Sequence, residues 1–231
     1  MGSDIERRVL AFGEAHSSGE TDYEHECWLE RSKPDAEDIE WSLRNQGVPE
    51  RIVNTLGSIG YGDTKEPSQA MEVVKNFLKT DRPAWCLVLS GDKGCGKSTA
   101  AALFLEDKTK AYQTVGNLPK KQAWWTAAKV NRVSSYDDQL ENLMIMPWLI
   151  IDDLGVEYAD KNGHFNSRLD ELLSARYDNY KKTIITTNLN SKDFQERYGK
   201  RITSRIAEGF KHAGPVGETL FVEITEKSLR T

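Results

Sequence analysis

Apolar and polar positions change their rhythm partway along the chain. Up to about residue 80 the apolar residues recur at helical spacing. Ile5, Val9 and Phe12 follow a capping-box pattern made by Ser3 and Glu6. A second helix is predicted from near Thr21, with Glu24 three residues on, to a stop before Pro34. A third spans about residues 35–46, with Ile39 and Leu43 on one face and Gly47 just past its end. The run Gly57-Ser58-Ile59-Gly60-Tyr61-Gly62 reads as a turn, and Met71, Val74, Phe77 and Leu78 mark a further helix. After Pro83 unbroken apolar runs take over. Residues 85–90, 148–151 and 183–187 read as strands buried on both faces, with 122–126 a weaker fourth. Helical patterns separate them, notably over 165–179, where Leu169, Leu172, Leu173 and Arg176 share a stripe. Strands alternating with helices predict an α/β fold, a mostly parallel sheet flanked by helices.

Composition narrows the class. With 231 residues, 38% hydrophobic and 29% charged, the chain is expected to be soluble and globular, with a core that needs neither disulfides nor metals. No apolar run approaches the roughly 20 residues of a membrane span. Asp4, Glu6, Arg7 and Arg8 stand where a signal peptide needs its apolar stretch. Cys27, Cys86 and Cys95 are odd in number and form no CxxC pair, which argues for a reducing cytoplasm and against a disulfide scaffold or zinc site.

Charge divides the chain. The net charge of −5 is uneven: residues 1–46 hold twelve Asp/Glu against five Lys/Arg, a balance of −7, and the remainder holds 24 against 26, a balance of +2. An acidic, helical, partner-binding segment over 1–46 ahead of a body over 47–231 is the expected division. The segment repels a phosphate backbone, whereas basic stretches of the body can hold one. A merely solvated helix face explains the acidic residues equally well.

The candidate chemistry starts at Gly91-Asp92-Lys93-Gly94-Cys95-Gly96-Lys97-Ser98, a full match to G-x-x-x-x-G-K-[ST], which passes through Thr99 into a predicted helix. Its glycines let successive N–H groups face phosphate oxygens, and the helix N-terminus adds its positive dipole end. Lys97 is expected at the β- and γ-phosphates of ATP and the Ser98 hydroxyl on Mg²⁺. The apolar run 148–151 ends in Asp152-Asp153, about 55 residues after that loop. A carboxylate at the carboxyl end of a parallel strand lies beside the ligand crevice, so Asp152 is expected to hold Mg²⁺ and Asp153 to polarise the attacking water. Asp153 is one methylene shorter than a glutamate, which predicts slow turnover. Asn188 ends the run 183–187, placed to orient water or touch the γ-phosphate, though by itself it is an ordinary turn residue. Arg201 and Arg205 are four apart and share a helix face, which serves either a neighbour's γ-phosphate or plain solvation.

These motifs, in this order, resemble the AAA+ ATPases, most closely the DnaC/IstB-like helicase-loader group. The resemblance covers about residues 47–231. It rests on Gly47-Val48-Pro49-Glu50-Arg51, the loop 91–98, Ile150-Ile151-Asp152-Asp153-Leu154-Gly155, Arg176-Tyr177, Ile184-Ile185-Thr186-Thr187-Asn188-Leu189 and Arg201-Ile202-Thr203-Ser204-Arg205. It implies a P-loop NTPase fold of AAA+ type with Mg-ATP at the loop, a sensor role for Asn188, and an arginine finger at Arg205, with Arg201 second. It further implies self-association through the ATPase domain, a replicative hexameric helicase as partner and single-stranded DNA as the loading substrate. Twenty-six residues follow Arg205, too few for a separate helical lid, with Arg230 the one arginine near the end to replace a lid residue. An IstB-like helper of a transposase, a P-loop small-molecule kinase and an ATP-bound adaptor that does not hydrolyse stay open as alternatives. Trp124 and Trp125 could stack on bases, but their place on a predicted strand favours core packing.

Overall fold

The structure, a computed structural model, describes residues 34–60, 66–80, 84–112, 117–118, 121–133, 138–157, 163–211 and 221–226. Cys27, Arg230 and the helices predicted before Pro34 lie outside them. In chain order the elements are α1 (Ala36–Asn45), α2 (Glu50–Ser58), α3 (Gln69–Leu78), β1 (Cys86–Gly91), α4 (Lys97–Lys110), β2 (Trp124–Thr126) and α5 (Ala127–Arg132). There follow α6 (Asp138–Ile145), β3 (Trp148–Leu154), α7 (His164–Asp178), β4 (Lys182–Thr187), α8 (Ser191–Tyr198), α9 (Lys200–Lys211) and β5 (Phe221–Ile224).

The five strands form one sheet in the order β2-β3-β4-β1-β5, and every neighbouring pair is parallel. This is the α/β sheet that the alternating pattern predicts. β1 lies between β4 and β5, with Cys86 opposite Thr183 and Val88 opposite Phe221. Each parallel pair needs a crossover, and helices flank the sheet as a result. α4 is buried nearly all round, with Ala100, Ala101, Ala102, Leu103, Phe104 and Leu105 all in the core. Such a helix belongs between other elements. It packs on β1, β3 and β4 on one side and on α1, α2 and α3 on the other. No described helix is long and apolar enough to cross a membrane.

Two expectations shift. The turn expected at 57–62 begins later, because α2 runs through Gly57 and Ser58 to bury Ile52, Val53 and Leu56. More consequentially, α1 is part of the body. Asp35 and Asp38 close a capping box, and Ile39 and Leu43 join the common core. The Gln46 carbonyl accepts the backbone N–H groups of Ala123 and Trp124, and its amide donates to Ser42 and Thr109. The third helix of the acidic stretch therefore packs into the same core as the elements after residue 47. Gly47, at φ +88, ends α1 against the Gln122 side chain, where a Cβ would come within 2.7 Å.

Arg176 ties α7 to the sheet. It is fully buried on α7 and donates to the Thr183 hydroxyl and the carbonyls of Leu143, Met146 and Lys182. Burial pushes its pKa down to about 9. Its place in the apolar stripe is real, and its polar head is satisfied by four acceptors, on β4, on α6 and just after α6.

Candidate nucleotide-binding and hydrolysis site

The strand order decides where the loop residues meet the rest. β1 ends in Gly91 at φ +138, and the loop rises through Gly94 and Gly96 at φ +91 and +86 into α4. These angles strain any residue with a Cβ. At Gly91 the space is also taken, since a Cβ would lie 2.5 Å from the Ile224 carbonyl of β5. The buried amine of Lys97 donates to the carbonyls of Gly91 and Asp92, each at 2.7 Å, and to Asn188 Oδ1 at 3.1 Å. Three acceptors match its three N–H groups, with Cys95 Sγ at 3.6 Å beside them. Lys97 thus stands between the loop and the end of β4, and Asn188 is where sequence placed it.

β3 meets β4 in register through Ile151 opposite Ile185, then resumes at Leu154 opposite Thr187. Asp152 and Asp153 together face Thr186 alone: the strand bulges at its two carboxylates. Bulges re-aim side chains, and here one carboxylate is buried and the other exposed. Thr186 closes the irregularity, donating to Asp152 Oδ1 at 2.6 Å and accepting from the Asp153 N–H at 2.9 Å. Asp153 sits at φ +57, a left-handed conformation that costs a non-glycine residue about 1 kcal/mol or more.

Ser98 Oγ donates to the same Asp152 oxygen at 2.8 Å. Burial raises the Asp152 pKa. The hydroxyls of Thr186 and Ser98 oppose that rise, Asp153 nearby adds to it, and Lys97 draws it back. A serine hydroxyl and a carboxylate in contact form the oxygen donor set that a hard divalent cation takes. With a glycine loop that no side chain can replace and a lysine at its centre, the residues fit Mg²⁺ and a nucleoside triphosphate. Ser98 and Asp152 would hold the cation, and the loop N–H groups with Lys97 the phosphates.

The arginines behave differently from each other. They lie one turn apart on α9, as their spacing predicts, but the face they share turns toward Asp170 of α7. Arg205 Nη1 binds Asp170 Oδ1 at 3.0 Å and the Ser174 hydroxyl, its guanidinium lies 5.8 Å from the Tyr177 ring centre, and 18% of its side chain is exposed. Arg201 reaches Asp170 at 3.5 Å and is 69% exposed. The first-choice arginine is thus engaged within its own chain, and Arg201 is the freer of the two. Trp124 and Trp125 are both buried, and Trp125 donates to the Gln122 carbonyl. Core packing accounts for both.

Two groups at the site have no role assigned from sequence. Thr186 is one; it stands only in the motif run 184–189, as one of a threonine pair at the end of an apolar strand. Glu157 is the other, a buried carboxylate that accepts the Gly155 N–H at 2.7 Å, the Tyr198 hydroxyl at 2.6 Å and two N–H groups of Arg197. Burial and the Glu157 carboxylate both push the Tyr198 phenol up.

No family model matches the chain, and no curated protein matches it. Among solved structures it is similar to the DnaC helicase loader, at 22% identity and a TM-score of 0.49, over 71% of this chain and 94% of that one. It is similar to DnaI at 18% identity and a TM-score of 0.46, over 68% and 82%. It is also similar to the replication initiator DnaA bound to AMPPCP and single-stranded DNA, at 16% identity and a TM-score of 0.49, over 68% of this chain and 45% of that one.

Proposed function

We propose that the chain is a Mg-dependent ATPase that loads a replicative hexameric helicase onto single-stranded DNA, with ATP binding and slow hydrolysis as the switch. One observation carries the ATPase reading: the sheet order brings Ser98 to Asp152 at 2.8 Å and Lys97 to Asn188 at 3.1 Å, across 54 and 91 residues of sequence. A chance glycine-rich turn has no reason to meet a carboxylate and an amide at the ends of two neighbouring strands. Mg-ATP, when bound, supplies the phosphoanhydride and the cation that screens its charge. Lys97 would then hold phosphate oxygens, and Ser98 and Asp152 would hold the cation. Asp153, exposed at the bulge, accepts a proton from water that Asn188 helps to orient. The short side chain of Asp153 keeps the step slow.

The loader reading is supported by the motif set from Gly47 to Arg205 taken in order. In it the subunits self-associate through the ATPase domain, and Arg201, the freer arginine, completes a neighbour's site. Residues 1–33, with eight acidic and four basic side chains, grip the helicase in the cytoplasm.

Three proteins test the site: wild type, Lys97→Ala and Asp153→Asn. Nucleotide titration should show tight Mg-ATP binding in the first and third and its loss in the second. Hydrolysis by Asp153→Asn should fall by roughly 10²- to 10⁴-fold, the usual share of a general base. Single-stranded DNA and a replicative helicase should raise wild-type turnover, and the helicase should co-purify with the chain. Stimulation by a small acceptor in their place would favour a kinase.

A further inference from the structure

The turn that carries Asp153 leaves strand geometry at two residues of three, with Asp153 at φ +57 and Gly155 at φ +112. It needs outside support to keep one shape, and four contacts supply it. The Thr186 hydroxyl takes the Asp153 N–H at 2.9 Å, and the Thr187 hydroxyl donates to the Leu154 carbonyl at 2.6 Å. The Leu189 side chain packs over Gly155, 3.1 Å from where a Cβ would stand. All three come from β4 or the residues just after it. The fourth, Glu157 Oε2 on the Gly155 N–H at 2.7 Å, leads elsewhere.

The Glu157 side chain is 1% exposed, and its other oxygen accepts from Arg197 Nε at 3.0 Å, Arg197 Nη2 at 2.8 Å and the Tyr198 hydroxyl at 2.6 Å. Arg197 Nη2 donates again to the Glu157 carbonyl at 2.9 Å. Both partners belong to the last turn of α8, and Gly199, at φ +88, separates that turn from the start of α9 and Arg201. Asn166 of α7 donates to the Arg197 carbonyl, and the Tyr198 ring packs on Phe194 at 4.9 Å. The end of α8 is thereby a fixed post, and the carboxylate spans from it to the backbone beside Asp153.

We propose that Glu157 is a positioning residue for hydrolysis: it ties the Asp153 turn to the end of α8, so that the angle of the water-polarising carboxylate depends on a contact outside the phosphate site. The inference rests on the hydrolysis reading above. It makes the α8–α9 corner, next to the arginine offered to a neighbour, a place from which assembly reaches the catalytic turn.

The full chain tests it through Glu157→Gln and Arg197→Gln, each assayed for Mg-ATP affinity, turnover at saturating ATP, thermal stability and backbone hydrogen exchange. Turnover should fall by roughly ten- to a hundredfold in each. Mg-ATP affinity should hold within about twofold, since binding and the reacting geometry separate. The double variant should fall no further than the worse single, because the two residues form one unit. Amides of residues 153–156 should exchange faster in both variants, a readout that does not need catalysis. Unchanged turnover in folded Glu157→Gln overturns the proposal. So does a loss of affinity and turnover together in step with lost folded protein, as a purely structural ion pair would give. Equal protection of residues 153–156 in Arg197→Gln removes the tie to α8, whether or not the wild-type chain hydrolyses ATP. A wild-type chain inert toward ATP defeats the hydrolysis reading instead, and with it the catalytic part of this one.

Discussion

Asp152 shows how a functional side chain opposes the fold that holds it. Its carboxyl is buried, with two hydroxyls and a lysine nearby, and burial wins: the pKa is raised. The folded state therefore keeps this proton to higher pH than the unfolded chain does. Stability from this group is complete below the unfolded carboxylate range, near pH 4, and is lost as the pH rises through the folded pKa. Asp152→Asn removes the charge and keeps an oxygen to accept from Ser98 and Thr186. Thermal melts from pH 4 to 8 should show the variant more stable than wild type at pH 7–8, with the gain vanishing toward pH 4. Mg-dependent hydrolysis should be lost at every pH. A variant less stable at pH 8 would mean that Lys97 and the hydroxyls outweigh the burial.

Helix α9 separates two arginines that sequence spacing treats as equivalents. Arg205 contributes a partly buried ion pair, a hydroxyl contact and an aromatic neighbour, all on α7. Arg205→Ala should cost about 2 kcal/mol, since hydrogen bonds to charged groups are worth that much and Asp170 loses a partner. In a chain of this size that lowers the melting temperature by roughly 4–8 °C. Arg201→Ala, at an exposed site with a long contact, should change stability by less than about 0.5 kcal/mol. It should still bind Mg-ATP and hydrolyse poorly. Mixing it with Asp153→Asn should restore some turnover, because a mixed interface pairs a good arginine with a good carboxylate. Turnover in the mixture no higher than the sum of its parts would leave Arg201 as a solvated residue.

At the scale of the whole molecule, the last part of the acidic stretch packs with the body. Four of that stretch's twelve acidic residues, Asp35, Glu37, Asp38 and Glu40, lie at the cap or in the first turns of α1, where they suit the helix N-terminus. Glu40 and Glu50 both pair with Arg44 on the surface. In the function proposed above, the grip on the helicase is accordingly assigned to residues 1–33. Deleting 1–33 should leave the melting temperature and Mg-ATP affinity unchanged while abolishing capture of the helicase in a pull-down. Deleting 1–46 removes the buried Ile39 and Leu43 as well, worth about 4 kcal/mol together, and should lower the melting temperature by roughly 10 °C. Retention of the helicase by the shorter truncation would place its grip on the body.

The features legible in the amino-acid sequence were those that repeat or stand together along the chain. Apolar runs at 85–90, 148–151 and 183–187 became the three central strands, the spacing of Leu169, Leu172 and Leu173 became α7, and the loop 91–98 arrived whole, because each depends on its neighbours in sequence. The tertiary structure alone decided how the ends of those strands were used. The bulge at Asp152-Asp153, the Thr186 hydroxyl that closes it, the Arg205–Asp170 pair and the Glu157–Arg197–Tyr198 cluster join residues 33 to 41 apart. A single polar residue whose partner lies that far off has no period to reveal it. Its role comes from strand order and from the rule that a buried polar group must find a partner.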